Sequence, residues 1–170
     1  RTAGFESVNI ADMTQASQLI IILLMLVGGS PGSTAGGFKT TTLGILFFNL
    51  VGTVRKKTDV ECFGRSVPAP VVKTVLTILV IYVILTTGSA IAISGIENIP
   101  VLSAMFESSS ALATVGLSLD LTSSLGVASK LILMGLMYAG RVGPLTIFMA
   151  FSPDKFSNVS RLPNEEVRVG

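Results

Sequence analysis

The chain has 170 residues, of which 49% are apolar and only 13% charged, and its mean hydropathy is +0.74. Soluble domains carry about 25% charged residues, so this balance excludes an ordinary soluble domain and points to an integral membrane protein. There is no His and a single Cys, Cys62, and the net charge is only +2. The commonest metal ligand and general base are therefore missing, an intrachain disulfide is excluded, and no nucleic-acid partner is indicated.

The opening residues, Arg1-Thr2-Ala3-Gly4-Phe5, show neither an initiating Met nor a signal-peptide pattern. The chain is therefore expected to be a piece from the middle of a longer protein. The polar run from Pro163 to Gly170 is expected to be a natural terminus. In between, Met13 to Val27 is apolar. Gly28-Gly29-Ser30-Pro31-Gly32-Ser33-Thr34-Ala35-Gly36-Gly37 then intervenes, and Phe38 to Val54 is apolar again. Five Gly and one Pro in ten residues cannot continue a helix. Each half is short for a span, which needs roughly 20 apolar residues across a core of about 30 Å. One broken transmembrane helix is predicted, and non-helical backbone at that depth survives only inside protein or beside a water-filled cavity.

Further along, 55–70 reads as a linker and 71–93 as a full span whose one charge, Lys73, can snorkel from its end. The stretch 99–113 is too short to cross, contains Glu107 and Ser108-Ser109-Ser110, and is predicted to re-enter as a short helix. It runs into the turn Thr114-Val115-Gly116-Leu117, and a last span is predicted over 128–151, interrupted only by the charge of Arg141. Arg55, Lys56, Lys57 and Arg65 precede the 71–93 span, Lys73 lies in its first turn, and no Lys or Arg lies between Ser94 and Ser129. By the positive-inside rule 55–70 and the tail 153–170 are expected in the cytoplasm.

A shift of 112 positions aligns Thr2 with Thr114, Gly4 with Gly116, and then Ala16, Ser17, Leu19, Ile20, Leu24, Met25 and Gly28 with Ala128, Ser129, Leu131, Ile132, Leu136, Met137 and Gly140. That makes nine identities in 27 ungapped pairs. The implied repeat is a short helix, a Thr-x-Gly turn and a membrane helix, and it places the Gly-rich break and Arg141 at similar depth.

Three features carry chemistry. A Thr-x-Gly turn at the end of a re-entrant helix can aim backbone carbonyls at a dehydrated cation, and the helix adds the negative end of its dipole. The break at 28–37 can obstruct a pore or bind a solute. Arg141 offers five donors that suit unpaired carbonyls of the break, so it is expected to hold the loop closed and to repel cations. Glu107 is expected to brace the turn through hydrogen bonds. Gly32 to Thr40 mimics a nucleotide loop, but Phe38 separates Gly37 from Lys39 and no strand precedes it. The serine run has no His base, and no catalytic residue is predicted.

Phe106-Glu107 with Ala113 to Leu117, the string from Gly28 through Gly37 into Phe38-Lys39-Thr40-Thr41-Thr42, and Gly140-Arg141-Val142-Gly143-Pro144 together resemble the Trk/Ktr/HKT superfamily of potassium transporters. Val60 to Pro68 and the terminal Glu165 to Gly170 look closest to the bacterial Ktr-type membrane subunit. The resemblance implies an all-α membrane fold of helix–pore-loop–helix repeats, with 1–54 the end of a third repeat and 71–152 a complete fourth. It carries a selectivity filter onto Thr2, Ala3, Gly4 and Phe5 and onto Thr114, Val115, Gly116 and Leu117. It carries a gate onto Gly28 to Gly37 with Arg141. Implied with these are K+ as the transported ion, Na+ as a second candidate and no covalent cofactor. The expected surroundings are membrane lipid, the remaining repeats of the parent chain, a second copy in a homodimer and a cytosolic nucleotide-binding ring of RCK type. The location is the cell membrane. Two readings of other classes stay open on the residues alone, a broken-helix secondary transporter for a small solute and a non-conducting membrane scaffold.

Overall fold

The structure, a computed structural model, describes residues 4–33, 35–55, 60–62, 65–143 and 146. Among these it is mostly helical. A 3-10 turn at Ile10–Asp12 leads into α1 (Gln15–Leu26), which Thr14 caps by accepting from Ser17 N–H. Residues 27–39 break the helix, and the chain resumes as α2 (Thr40–Val54). Then come a short antiparallel hairpin of β1 (Val60–Cys62) and β2 (Arg65–Val67), α3 (Ala69–Glu97), α4 (Val101–Leu112) and α5 (Val127–Val142).

Three of these differ from the sequence expectation. The 55–70 linker contains the hairpin, in which Val60 pairs with Val67 and Glu61 with Ser66. The outer helix is longer than 71–93, because Ala69 and Pro70 fit a first turn that needs no N–H donors and Asn98 ends the helix at φ 53°. The inner helix does not run unbroken from 128 to 151. It closes at Val142, where Gly143 takes φ 96° ahead of Pro144, a residue that disfavours helix before it. Residues 144, 145 and 147–151, like the expected tail 153–170, lie outside the described residues.

The repeat offset has a structural counterpart. α1 starts at Gln15 and α5 at Val127, positions that the shift of 112 aligns, and the aligned Gly4 and Gly116 both have positive φ, 69° and 88°. The equivalent helices then diverge, since α1 stops at Leu26 while α5 continues to Val142.

Packing is centred on α4. Its 12 residues span about 18 Å, far less than a bilayer core, and α1, α3 and α5 all pack against it. Everything from Phe106 to Leu112 is buried. One cluster joins α3, α4 and α5 through Tyr82, Ala90, Ile93, Ala104, Leu112 and Leu133, and a second joins α1 to α4 through Ile22, Met25, Phe106 and Val115. Large apolar side chains meanwhile face outward, among them Leu23, Phe47, Leu50, Ile84, Ile91 and Leu131. Glu107 and three serines inside with leucines outside is the reverse of a soluble protein. α3, with 29 residues, is long and apolar enough to cross a membrane.

Candidate functional site: a Thr-x-Gly turn above a Gly-rich loop

α4 ends in a Schellman motif. Val115 N–H reaches back to Ser110 C=O at 2.9 Å and Thr114 N–H to Ala111 C=O at 3.2 Å, with Thr114 itself at φ 53°. Glycine normally fills that left-handed position. A β-branched residue there is a genuine outlier, costing on the order of 1–3 kcal/mol, and such outliers concentrate at functional sites. Positive φ recurs at Gly116, 88°, but not at Val115 between them. Positive φ at alternate residues can turn successive carbonyls toward one side.

Glu107 fixes the segment after the turn. Its Oε1 accepts from Ser118 Oγ at 2.6 Å and Leu119 N–H at 2.9 Å, and its Oε2 accepts from Thr122 Oγ1 at 2.8 Å. A buried carboxylate with three donors is a brace, since its partners and geometry leave little freedom. Gly4 lies against the same turn. A Cβ on Gly4 would come within 2.9 Å of Val115 C=O and 3.8 Å of Gly116 Cα. Phe5 is 92% exposed and makes no part of this packing. Thr2 and Ala3 lie outside the described residues.

The Gly-rich break is a closed loop rather than a splayed one. Gly28 N–H donates to Phe38 C=O at 2.9 Å and Phe38 N–H to Leu26 C=O at 3.0 Å, pinching the neck, and Thr40 N–H donates to Gly29 C=O at 3.2 Å. Phe38 also packs edge-on against Tyr82 of α3, with ring centroids 5.8 Å apart. At the tip Ser33 N–H turns back to Ser30 C=O, and Pro31 and Gly32 are exposed. Gly36 is the contact with the turn. Its N–H donates to Thr114 Oγ1 at 3.1 Å, and a Cβ there would collide with Thr114 Oγ1 and Ala113 C=O. So the loop touches the end of α4 across 78 residues of sequence. Thr34 lies outside the described residues.

Arg141 borders two cavities. One, about 450 Å³, runs from Glu107 and Ser118 past Thr114 and Gly116 to Met137 and Arg141. The other, about 230 Å³, brings Arg141 together with Ser33, Ala35, Gly36, Gly37 and Lys39. Arg141 therefore shares a cavity with the second half of the loop. Gly28, Gly29, Ser30, Pro31 and Gly32 do not line that cavity.

Two residues that sequence reasoning passed over belong here. Lys39 donates through Nζ to Ala35 C=O at 2.7 Å and Ser33 C=O at 3.1 Å. The signal was available, because the rule that singled out Arg141, that a charge within a membrane helix needs partners, applies equally to Lys39. Glu97, at the end of α3, accepts from Gly126 N–H at 2.8 Å and Ser129 Oγ at 2.6 Å. It thereby caps α5, whose own N-cap Gly126 has no side chain to do so. No local pattern could have revealed that pairing over 29 residues.

The site is thus a short buried helix that ends in a left-handed turn and is set against a closed Gly-rich loop in a broken helix. The profile of the TrkH family, described as a cation transport protein, matches residues 1–159, and the chain belongs to that family, within the Trk/Ktr superfamily. It is 36% identical over its whole length to the potassium/sodium uptake protein NtpJ of Enterococcus hirae. It is 35% and 37% identical to the Ktr system potassium uptake protein B of Bacillus subtilis and of Vibrio alginolyticus. The chain spans 37–39% of the length of these relatives. The fold is similar to the potassium transporter TrkH from Vibrio parahaemolyticus, with a TM-score of 0.73 at 22% identity, covering 89% of this chain and 34% of that one. The mostly helical structure thus has a membrane transporter fold.

Proposed function

We propose that this chain is part of a K+ uptake pore in the cell membrane, made of helix–pore-loop–helix repeats. Thr114, Val115, Gly116 and Leu117 select the ion with backbone carbonyls, and Thr2, Ala3, Gly4 and Phe5 do so in the preceding repeat. The loop from Gly28 to Gly37 obstructs the path below them, and Arg141 adds a positive barrier beside it. The observation that carries this reading is the bond from Gly36 N–H to Thr114 Oγ1, which joins obstruction and turn directly. Relatives named for potassium uptake and potassium/sodium uptake support K+ as the ion, with Na+ as the second candidate. The remaining repeats, a second copy, a cytosolic RCK-type ring and a cytoplasmic 55–70 segment and C-terminus complete the proposal, on the strength of the family resemblance and the basic residues.

The test is K+ and Na+ uptake by the intact parent protein in liposomes, with and without Gly116→Ser. Gly116 sits at φ 88°, where any side chain is strained. Selective K+ uptake whose preference over Na+ falls in the variant supports the assignment. Uptake indifferent to Gly116 refutes it.

A further inference from the structure

Glu97 is the last residue of α3, where a negative charge opposes the helix macrodipole. α3 gains nothing from that charge, but α5 does. Glu97 Oε1 accepts from both Gly126 N–H at 2.8 Å and Ser129 Oγ at 2.6 Å. The internal repeat reveals what this oxygen replaces. The shift of 112 aligns Gly126 with Thr14 and Ser129 with Ser17. Thr14 caps α1 from within, its Oγ1 accepting from Ser17 N–H and lying 3.0 Å from Ser17 Oγ. Gly126 has the same extended N-cap backbone, φ −67° and ψ 168° against −63° and 150° at Thr14. A Cβ on Gly126 would come within 2.9 Å of Glu97 Oε1. The carboxylate oxygen thus stands where the cap side chain stands in the preceding repeat, and the glycine leaves it room.

The two repeats agree again one turn later. Gln18 Nε2 folds back onto Ile10 C=O at 3.2 Å, and Lys130, aligned with Gln18, donates through Nζ to Ser123 C=O at 3.1 Å. Each inner helix therefore grips the chain that leads into it, but α5 takes its cap from another helix. The limb concerned, 118–126, leaves the Thr114 turn. Glu107 of α4 holds its start through Ser118, Leu119 and Thr122, and Glu97 of α3 holds its end at Gly126. Leu119 and Leu125 along it are buried.

We propose that Glu97 is a positioning residue for ion selection, an N-cap delivered by the outer helix that ties α3 to the end of this limb and so fixes the turn at 114–117. This rests on the reading of that turn as the selecting element. A cap carried by residue 126 itself would stabilise α5 equally well but leave the limb free to shift against α3. Stability and selectivity are therefore separable by mutation.

The test uses the intact parent protein, with thermal unfolding in detergent and K+ and Na+ uptake in liposomes read on the same preparations. Glu97→Ala is expected to melt a few degrees lower, as the loss of an N-cap does, and its K+ over Na+ preference to fall about twofold or more. Glu97→Gln, which keeps Oε1 as an acceptor for both donors, is expected to stay near wild type in both. The deciding variant is Glu97→Ala with Gly126→Thr, which copies the cap of Thr14 and is expected to accumulate even where Glu97→Ala alone does not. Its melting is expected to return to wild type while its K+ preference stays lowered. Recovery of both reduces Glu97 to a helix cap and overturns the proposal, as does wild-type preference in Glu97→Ala. A double variant that melts no higher than Glu97→Ala overturns the equivalence of the two caps. Gly116→Ser run in parallel separates the failures: if it leaves selectivity untouched the pore assignment falls, whereas a selectivity change beside wild-type preference in the Glu97 variants removes the tie alone.

Discussion

Gly140→Ala tests how tightly the inner helix is seated on the end of the short helix. In an exposed helix interior the change is favourable by about 1 kcal/mol. At Gly140 the added methyl would collide with Leu112 C=O and lie 2.8 Å from its carbonyl carbon and 3.3 Å from its Cα. These are backbone atoms of the last residue of α4, immediately before the Thr114 turn, and no rotamer change can move them. Overpacking of this kind costs about 1–3 kcal/mol, more where the neighbour is rigid, so the upper end applies. Subtracting the helix gain leaves a net loss of about 1–2 kcal/mol. Gly135→Ala, on the same helix with nothing within 4 Å of the new Cβ, keeps only the gain. Thermal unfolding of the detergent-purified parent protein should rank Gly135→Ala at or above wild type and Gly140→Ala below it. Since relief requires α5 to back away from α4, K+ over Na+ preference should fall in Gly140→Ala as well. A Gly140→Ala protein that melts with Gly135→Ala would refute the close approach and the argument from it.

Glu107→Ala strips three donors of their acceptor and leaves Leu119 N–H buried and unpaired, so a loss of about 3 kcal/mol or more is expected. Glu107→Gln, which keeps one carbonyl oxygen for Ser118 and Leu119, should lose about 1 kcal/mol; equal melting of the two variants would contradict the bracing role. The hydroxyl of Thr86 is buried and without a hydrogen-bond partner. Thr86→Val should therefore be neutral or stabilising by up to about 1 kcal/mol in the same unfolding assay, and a clear destabilisation would show that the hydroxyl is satisfied.

Much of this protein is legible without coordinates because the relevant signals are local. A charged fraction of 13%, against about 25% in soluble domains, points to lipid as the solvent. Five Gly and a Pro within ten residues break a helix wherever they stand. The run from Ile99 to Ala113 is too short to cross, and Thr-x-Gly after it needs positive φ at its glycine. Boundaries set by backbone stereochemistry were only partly visible: Gly143-Pro144 closes α5 at Val142, although apolar character continues beyond it. The hairpin at Val60 to Val67 left little trace, because strands of three residues are too short for alternation to register.

Tertiary structure alone decided which groups meet. Hydropathy leads one to expect the loop and the turn at membrane depth, but the bond from Gly36 to Thr114 depends on the neck closing at Gly28 and Phe38. Gly140 is an ordinary helix-weakening residue in sequence; in the fold it is the position where another backbone comes too near for a methyl. Lys39 reads as one letter of a failed nucleotide motif until its ammonium is seen on two loop carbonyls. Composition and period determine the solvent, the helices and their breaks. Pairing over tens of residues is settled by the path of the backbone, since a donor can satisfy only the acceptor that the fold brings to it.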